Sequence, residues 1–358
     1  MAQPKKLQTL ETLDVNHRNR RAINCIMGTF TKNIFRIFSL SLLMCLARIS
    51  HAQDPEFTQF YANPIYLNPA MAGTHGCPRL NINHRNEWPS ISGSFITNSV
   101  SYDQFVEVLQ GGIAFMITND MAGKNTINWS TLSLAYSYHL NVTRKFSMLF
   151  GAQATWNQKF LDWSKLTFGD MIDPRRGFIY QTGDQPRGTL MDNGWGTRGF
   201  FDVSAGFVGF SKNFYFGFAA RHLNTPDESL ILGLSELPMR FTGHIGANIP
   251  FGKGSQYQNV TSISPNVIYT YQDGFMQLNI GTYIKYGVFT AGVWLRPRDA
   301  FIMTVGIDSG TFKFGYSYDV TVSPLTNASG GSHELSLGLH FNCSKKPQKF
   351  RTISCPSF

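Results

Sequence analysis

The chain has 358 residues, of which only 15% are charged, while 33 are Gly and 30 are Phe. Charged residues make up about 25% of soluble domains, so this composition disfavours an ordinary soluble protein. The formal net charge of +9 is no evidence for nucleic-acid binding. Of the 31 bases and 22 acids, eight bases and two acids precede residue 53, so the rest of the chain carries a net charge of only +3.

Residues 1–52 are predicted to be a signal peptide. A basic stretch precedes the apolar run Ile37–Leu46, and Ser50-His51-Ala52 supplies a small-x-small cleavage site. A true start at Met27 would give a signal peptide of ordinary length. The apolar run is shorter than the roughly 18 residues of a membrane-spanning helix, and no other stretch of the chain reaches that length.

Residues 53–79 follow the leader and are predicted to form a plug in a barrel or a rim at its periplasmic end. Asn63-Pro64 and Asn68-Pro69 fix turns, because proline restricts both its own backbone and that of the preceding residue. Aromatic side chains such as Phe57 would otherwise form an exposed patch, so they are expected to pack inside the barrel or on a partner.

Short alternating segments separated by turn residues begin at about Leu80. In the last of them Leu335 and Leu337 fall on one side of a strand, while Glu334 and Ser336 fall on the other. The predicted strands lie at about 80–86, 94–102, 111–118, 129–139, 146–157, 201–210, 213–222, 239–249, 261–271, 274–284, 286–296, 300–308, 311–320 and 332–342. Each has the length that crosses a bilayer when tilted.

An even number of strands lets a sheet close on itself, which removes its exposed edges. The sequence therefore predicts an all-β fold, a transmembrane antiparallel outer-membrane β-barrel of about 14 strands over residues 80–342. Such a barrel would sit in outer-membrane lipid, exported there by the leader. A pair of soluble β-sandwiches is the alternative.

The lengths of the connectors support the barrel. The longest ones, 158–200, 223–238 and 321–331, are all odd-numbered along the chain, and so lie outside if both termini are periplasmic. Connector 158–200 is rich in aromatic residues, as a surface for docking a partner should be. The candidate docking residues are Trp163, Phe168, Asp170, Asp173, Arg175, Arg176, Phe178 and Tyr180.

Three cysteines follow the leader. In an oxidising compartment Cys343 and Cys355 are candidates for a disulfide around a basic periplasmic tail, residues 343–358, which leaves Cys77 unpaired. No metal-ligand spacing surrounds these cysteines, and neither a metal nor a cofactor is predicted. The sequence contains no G-x-S-x-G, H-E-x-x-H, Walker or G-x-G-x-x-G motif, so the chain is not expected to be an enzyme.

Five short motifs lie close together after the leader: Gln53-Asp54, Phe57-Thr58-Gln59-Phe60-Tyr61, Asn63-Pro64, Asn68-Pro69-Ala70-Met71-Ala72-Gly73 and Arg85-Asn86-Glu87-Trp88-Pro89. In these motifs the chain resembles the PorP/SprF family of outer-membrane proteins, which is associated with type IX secretion and gliding motility. The stretch "LTFGDMIDPRRGFIY" at 166–180 and the C-terminal stretch are also similar to the family. The resemblance covers the whole chain after the leader.

The resemblance implies a non-enzymatic role, in which the barrel supports the secretion or cell-surface attachment of an adhesin-like protein with a type B C-terminal domain. It also implies contacts with periplasmic components of the secretion and gliding machinery, and no nucleic-acid partner. An outer-membrane transporter of hydrophobic small molecules is the alternative. The motif residues expected to pack in a plug or on a partner are Phe57, Gln59, Tyr61, Asn63, Pro64, Asn68, Pro69, Gly73, Arg85 and Trp88.

Overall fold

The computed structural model describes residues 54–180, 182, 189–190, 195–230, 234–251, 261–322 and 329–343. The predicted leader, residues 1–52, and all but the first residue of the predicted basic tail lie outside the described residues.

One large antiparallel sheet forms the wall of the molecule, and it consists of fourteen long strands. They are β1 Arg79–Glu87, β2 Phe95–Val106, β3 Gly111–Ala122, β4 Ile127–Asn141, β5 Ser147–Asp162, β6 Trp195–Phe210, β7 Phe214–Arg221, β8 Arg240–Ala247, β9 Thr261–Gln272, β10 Phe275–Tyr286, β11 Phe289–Arg296, β12 Ala300–Asp308, β13 Phe312–Thr321 and β14 Ser332–His340. A short piece, Ile249–Phe251, continues β8 and pairs with β9.

Successive strands pair with one another, and the last strand pairs back with the first. Arg79 of β1 lies opposite His340 of β14, and Glu87 lies opposite Ser332. The wall is therefore a closed barrel, in which neighbouring strands satisfy each other's backbone hydrogen bonds, as lipid requires. The predicted outer-membrane β-barrel of about 14 strands is confirmed.

Side chains alternate between the lumen and the outer face along each strand. On β14 the side chain of Glu334 is fully buried inside, whereas Leu335 is 42% exposed on the outer face. The same alternation recurs on β12 and β13. Small and polar residues thus line the lumen and apolar residues face outward, which is the arrangement that lipid favours.

The two ends of the barrel differ. Connectors 163–194, 222–239 and 322–331 meet at one end, which we call the long-loop end. Turns as short as 211–213 and 309–311 lie at the other, which we call the short-turn end. The three longest connectors therefore share one end, as the parity of the predicted connectors indicates, although connector 273–274 at that end is short and connector 252–260 at the other end is long.

The predicted connector 158–200 is too long, because β5 and β6 extend into it, and β5 stays paired with β4 as far as Leu161. They remain paired up to Asp162 and Trp195 at the long-loop end. In the shorter loop between them, Ile172–Asp173 pairs with Gly177–Phe178 in a small hairpin. Thr189–Leu190 adds a two-residue strand beside β6.

Helices are short. The α-helix α1 spans Pro64–Leu67, and single 3-10 turns occur at Pro69–Met71, Glu107–Leu109, Trp163–Lys165 and Gly169–Met171. Pro64 and Pro69 begin their helices at a position where an N–H group would have no partner within the helix. No helix in the described part of the chain is both long and apolar enough to span a membrane.

The disulfide joins Cys77 to Cys343, so the predicted pairing of Cys343 with Cys355 is wrong. Cys77 precedes β1 and Cys343 follows β14, and Phe341 N donates to Pro78 O at 3.0 Å beside them. Closure of the barrel brings these two cysteines, 266 residues apart, to a Cα separation of 5.6 Å. The bond therefore lies at the seam between the first and last strands. Cys355 lies outside the described residues.

We expect Cys77→Ser to release a free thiol at Cys343, whereas Cys355→Ser leaves the disulfide intact. Loss of the bond should lower the free energy of unfolding by about 2–4 kcal/mol, since the cross-link restricts the unfolded chain. Maleimide labelling under non-reducing conditions, followed by peptide mass spectrometry, identifies the bonded pair. Recovery of a Cys343–Cys355 peptide would contradict the assignment.

Candidate functional site

Residues 54–78, which we call the lumen segment, run through the barrel from one end to the other. Asp54 contacts His222 and Arg240 at the ends of β7 and β8, on the long-loop side. Cys77 lies at the short-turn end, where the segment leads into β1. Most of its residues are buried, and the others are half-buried. The chain therefore passes along the lumen before its first strand begins.

A cluster of charged and polar groups binds the lumen segment where it begins, at the long-loop end of the barrel. His222 lies between two carboxylates, with Nε2 at 2.8 Å from Asp54 Oδ2 and Nδ1 at 3.1 Å from Asp202 Oδ2. Arg240 Nη1 lies 3.5 Å from the same Asp54 oxygen. Gln272 exchanges two hydrogen bonds of 3.3 Å with Asp54, one with its backbone N–H and one with its carboxylate.

These neighbours shift the pKa values of both partners. Burial lowers the pKa of His222, but the carboxylates of Asp54 and Asp202 together outweigh this effect and raise it to about 9. Burial raises the pKa of Asp54, but His222 and Arg240 outweigh it and hold that pKa well below its usual range. Both groups are therefore charged at neutral pH and attract each other in a buried site.

We expect stability to fall as the pH rises through about 9, because His222 then loses its proton beside Asp54 and Asp202. The raised pKa means that this contribution is complete below about pH 6.5 and is lost above about pH 9, up to roughly 3 kcal/mol. Urea midpoints measured between these pH values should fall in the wild type and stay flat in His222→Gln. His84→Gln, on the outer face, is the control and should keep the wild-type slope. An unchanged slope in His222→Gln would contradict the assignment.

Two further arginines contact the same part of the segment. Glu56 accepts from Arg240 at 3.0 Å and lies 3.8 Å from Arg296. The guanidinium of Arg221 lies 4.2 Å from the ring centroid of Tyr66 and donates to the Tyr66 carbonyl oxygen. Cations from β7, β8 and β11 therefore surround this end of the segment.

Glu334 of β14 binds the next two residues of the segment. Its carboxylate accepts from Thr58 N at 2.6 Å, from Thr58 Oγ1 at 2.9 Å and from Gln59 N at 3.1 Å. Gln59 Nε2 in turn donates to the Glu334 carbonyl oxygen at 3.0 Å. Arg85 of β1 donates to Thr58 Oγ1 at 3.1 Å and lies 3.5 Å from Glu334 and 3.0 Å from Asp319. The Thr-Gln pair thus contacts two buried charged groups of the wall, Glu334 and Arg85, and Asp319 pairs with the second of them.

Aromatic rings fill the middle of the lumen. Phe60 packs on Trp294 of β11 with a centroid distance of 4.8 Å, and Tyr61 makes an edge contact with Tyr215 of β7 at 5.8 Å. Tyr61 also donates its hydroxyl to Asn266 of β9 at 3.1 Å. Nearer the long-loop end, Phe57 makes an edge contact with Tyr66, also in the lumen segment, at 5.0 Å.

Asn68 attaches the Asn-Pro-Ala turn to the wall. Its side-chain oxygen accepts from Ala70 N at 2.9 Å, which caps the 3-10 turn that begins at Pro69. Its side-chain nitrogen donates to the carbonyl oxygens of Phe207 and Phe218, at 3.1 and 3.2 Å, on the paired strands β6 and β7. Asn63 also attaches the segment to the wall, because its side-chain nitrogen donates to Ser99 Oγ of β2 at 3.0 Å.

Glycines in the wall allow the segment to lie directly against the strands. A Cβ atom at Gly151 of β5 would stand 2.3 Å from Ala70 N, and one at Gly112 of β3 would stand 2.1 Å from Ala72 O. Gly73, with φ at +69°, packs on Gly112 and donates its N–H to Asp103 at 2.9 Å. The small residues of the motif therefore pack directly against the glycines of the wall.

Trp88 is a predicted motif residue that lies apart from the lumen segment. It follows β1 at the long-loop end, where its N–H donates to Gly331 O at 3.0 Å and its ring makes an edge contact with Phe95. The structure thus brings Phe57, Gln59, Tyr61, Asn63, Pro64, Asn68, Pro69, Gly73 and Arg85 together inside the barrel, and leaves Trp88 at its rim.

The predicted docking residues lie in the loop between β5 and β6. Trp163 and Phe168 pack together at 5.1 Å. Asp173 accepts from the backbone N–H groups of Arg175 and Arg176 at 2.8 and 2.9 Å, which lowers the pKa of its carboxyl group and fixes the hairpin turn. Asp170 accepts from Thr182 Oγ1 at 2.9 Å. The hairpin carries Phe178 and Tyr180 with 62% and 54% of their surface exposed.

Sequence reasoning missed most of the wall groups that hold the segment. Alternation does place Glu334 and Asp202 on inward faces, but it cannot say which residue each contacts. Asp54 stands out as part of the Gln53-Asp54 motif and Asp319 alternates inward with Ser317, but neither pattern indicates a partner. His222 carries no local pattern, because it follows the end of β7. A charged residue on the lumen side of a strand is the one available indication, since such a residue needs a buried partner.

The sequence model of the family described as "Type IX secretion system membrane protein PorP/SprF" matches residues 49–339. The chain belongs to the PorP/SprF family. The resemblance noted in the motifs is thereby confirmed, and it concerns a membrane protein of a secretion system rather than a class of enzymes. Family and fold together indicate the outer membrane.

Several solved structures are similar to this PorP/SprF protein. One is the toluene transporter TbuX from Ralstonia pickettii, with 11% identity, a TM-score of 0.47, and coverage of 79% of this chain and 95% of that one. Another is the P. putida toluene transporter TodX, with 9% identity, a TM-score of 0.44, and coverage of 77% and 93%. The KdgM porin aligns at 7% identity with a TM-score of 0.34, covering 74% and 99%. A search of curated proteins found no match.

No group of three or more His, Cys, Asp or Glu residues in the described ranges is arranged to hold a metal ion.

Proposed function

We propose that this PorP/SprF protein acts as a docking barrel of the type IX secretion and gliding machinery. Its leader, residues 1–52, directs export, and its long-loop end faces the cell surface. There it supports the secretion or surface attachment of an adhesin-like protein that ends in a type B C-terminal domain. The short-turn end and the basic tail, residues 343–358, face periplasmic components of the machine.

The observation that carries this proposal is the lumen segment, which passes along the lumen from one end of the barrel to the other. Glu334, Ser99, Phe207 and Asn266 lie on four different parts of the wall, and each hydrogen-bonds to the segment. A lumen crossed by a segment anchored on so many strands suits a barrel that holds partners better than one that passes cargo through its middle.

The loop hairpin supports the same proposal. Its turn is held by hydrogen bonds to Asp173, so the exposed Phe178 and Tyr180 are presented on a structured element. Aromatic side chains on a preformed surface are typical anchors of protein interfaces. The adjacent Arg175 and Arg176 would favour an acidic region on the partner.

A pull-down from solubilised outer membrane tests the proposal. The full-length protein should recover a large surface protein together with periplasmic machine components. The double variant Phe178→Ala and Tyr180→Ala should lose the surface protein and keep the periplasmic components. Tyr286→Ala, which removes an even more exposed aromatic side chain near the short-turn end, is the control.

Two outcomes would count against docking. If the hairpin variant recovers the surface protein as well as the wild type does, the hairpin is not the docking site. If the wild type recovers no partner and instead carries a bound hydrophobic compound, the transporter alternative takes its place.

A further inference from the structure

A row of polar side chains crosses the outer face of the wall beside the seam. His84 of β1 lies directly opposite Asn98 of β2, Asn98 lies opposite Asn119 of β3, and Asn119 lies opposite Ser130 of β4. We call these four residues the outer polar patch. The alternation of side chains along each strand places all four on the face that points away from the lumen.

The neighbouring strands show that the outer polar patch lies within the apolar band of the barrel. Leu335 of β14 is opposite His84, and Tyr316 of β13 is opposite Leu335. On β13 the outward side chains stay apolar or aromatic on both sides of Tyr316, from Phe312 to Val320. His84 therefore stands beside side chains that face hydrocarbon, at a level where lipid offers no hydrogen bonds.

The apolar band is short on the first strand. β1 begins at Arg79, so Leu80 and Ile82 are the outward residues that precede His84. At about 3.3 Å per residue they cover roughly 13 Å along the strand. The apolar band of a transmembrane barrel is about 25 Å tall. Lipid that covered β1 to this height would have to surround the polar side chain of His84.

The other side of the barrel has no such patch. Among the outward residues of β7–β13, all of which the structure describes, Thr261 and Thr282 are the only polar side chains that are not aromatic. Lipid contacts a barrel in the same way on every side. A polar row confined to one side therefore indicates a neighbour that occupies that side.

Hydrogen bonds within the outer polar patch leave groups for a partner. His84 Nδ1 lies 2.7 Å from Asn98 Oδ1, and an amide oxygen can only accept, so Nδ1 carries the proton. In the neutral ring Nε2 then accepts, and the Asn98 amide keeps its two N–H groups to donate. Asn119 Nδ2 donates to Ser130 Oγ at 2.9 Å and to Asn128 Oδ1 at 2.7 Å, which leaves its oxygen to accept.

The charge of the outer polar patch disfavours a lipid head group as its occupant. Lipid phosphates are bound by Lys and Arg side chains. No outward residue of β1–β4 is a Lys or an Arg. A protein surface with neutral hydrogen-bonding side chains matches the patch instead.

A second copy of this chain matches the outer polar patch poorly. Two copies in one membrane share their orientation, so the two-fold axis of a dimer runs along the membrane normal. With the patch at the centre of the interface, that axis places the Asn98 N–H groups of one copy against those of the other. It also places His84 Nε2 against Asn119 Oδ1. Donors would face donors and acceptors would face acceptors, so a different protein is the better occupant.

We propose that the outer polar patch binds the lipid-facing wall of a second, different outer-membrane β-barrel. Closed barrels are the spanning structures of this membrane. The partner's wall presents an acceptor to Asn98 and donors to His84 and Asn119, as Ser, Thr, Asn or Gln side chains can. The contact lies on the side of the barrel rather than at either end, so this partner is additional to those of the proposed function.

Photo-crosslinking of the full-length protein in the native outer membrane tests the proposal. The crosslinking residue p-benzoylphenylalanine replaces Ile117, which precedes Asn119 on the same face of β3 and is 46% exposed. It should form an adduct with one integral outer-membrane protein, identified by mass spectrometry. In the control it replaces Val305 of β12, which is 57% exposed and lies in the row of Tyr316. That position should not yield this adduct.

Matched variants then assign the adduct to the outer polar patch. The triple variant His84→Leu, Asn98→Leu and Asn119→Leu should lower the adduct yield at least tenfold. Thr282→Leu, which removes an outward hydroxyl on β10, should leave the yield unchanged. The triple variant removes polar groups from the apolar band, so in lipid bilayers its urea midpoint should be no lower than that of the wild type. Asn98→Leu alone is the second variant, in case the triple variant does not assemble.

The proposal is overturned if the Ile117 position yields no protein adduct, if the adduct is a second copy of this chain, or if it contains lipid alone. It is equally overturned if the patch variants keep the adduct, or if Thr282→Leu loses it as well. Phe178 and Tyr180 of the hairpin are unchanged in all these variants. Failure of this contact and failure of the docking proposal are therefore distinguishable.

Discussion

Glu334→Gln is expected to destabilise the protein by about 3–5 kcal/mol, because it removes one partner from a buried charge network. The side chain keeps its shape, but the amide can no longer accept from both backbone N–H groups of Thr58 and Gln59. Its NH₂ group would face one of these donors, and Arg85 would lose one of its buried counter-charges. Urea unfolding of the folded barrel in detergent micelles measures the change in stability.

The matched control is Glu87→Gln, which removes an acid near the same arginine. Glu87 lies 3.6 Å from Arg85, but its side chain is 29% exposed and does not contact the lumen segment. We expect at most about 1 kcal/mol for this variant. In Glu334→Gln, limited proteolysis should also cut within residues 54–78. Equal effects of the two substitutions would show that Glu334 does not anchor the segment.

Gly151→Val is expected to displace the lumen segment from the wall, at a loss of about 3 kcal/mol or more. The new side chain would collide with backbone atoms of Ala70 and Pro69, and backbone cannot turn aside as a flexible side chain can. The segment must then move away from β5. In planar bilayers the variant should conduct ions more than the wild type, whose lumen holds the segment.

Gly243→Val is the control for this experiment, because a Cβ atom at Gly243 of β8 meets nothing within 4 Å. It should conduct as the wild type does. If Gly151→Val fails to assemble, Gly151→Ala makes the same collision with one methyl group. Wild-type conductance together with wild-type protease resistance in Gly151→Ala would contradict close packing at this site.

The number of strands and the face of each could be predicted from local patterns. Leu335 and Leu337 alternate with Glu334 and Ser336, and a period of two assigns each side chain to one face. The hydrogen-bonded ends of β5 and β6 could not be predicted, because those residues look like loop. Pairing with each other carries them to Asp162 and Trp195.

Only one side of the candidate site, the lumen segment, could be predicted from the sequence. The motif residues of the lumen segment stand out because Asn-Pro turns, aromatic residues and glycine occur together over a short stretch. Their partners do not stand out, since Ser99, Asn266 and Gly151 are ordinary residues of ordinary strands. Whether each one contacts the segment depends on the register of its strand and on where the segment lies in the lumen.

The sequence by itself determined the class of the fold, the closure of the barrel and the segment with the family motifs. Only the tertiary structure decided which distant residues meet. Glu334 binds Thr58 across 276 positions of sequence, and Cys77 bonds to Cys343 across 266. The physical reason is the same in both cases. Closing the wall brings the first and last strands together, so the partners of the N-terminal residues lie near the far end of the chain, where no local pattern can indicate them.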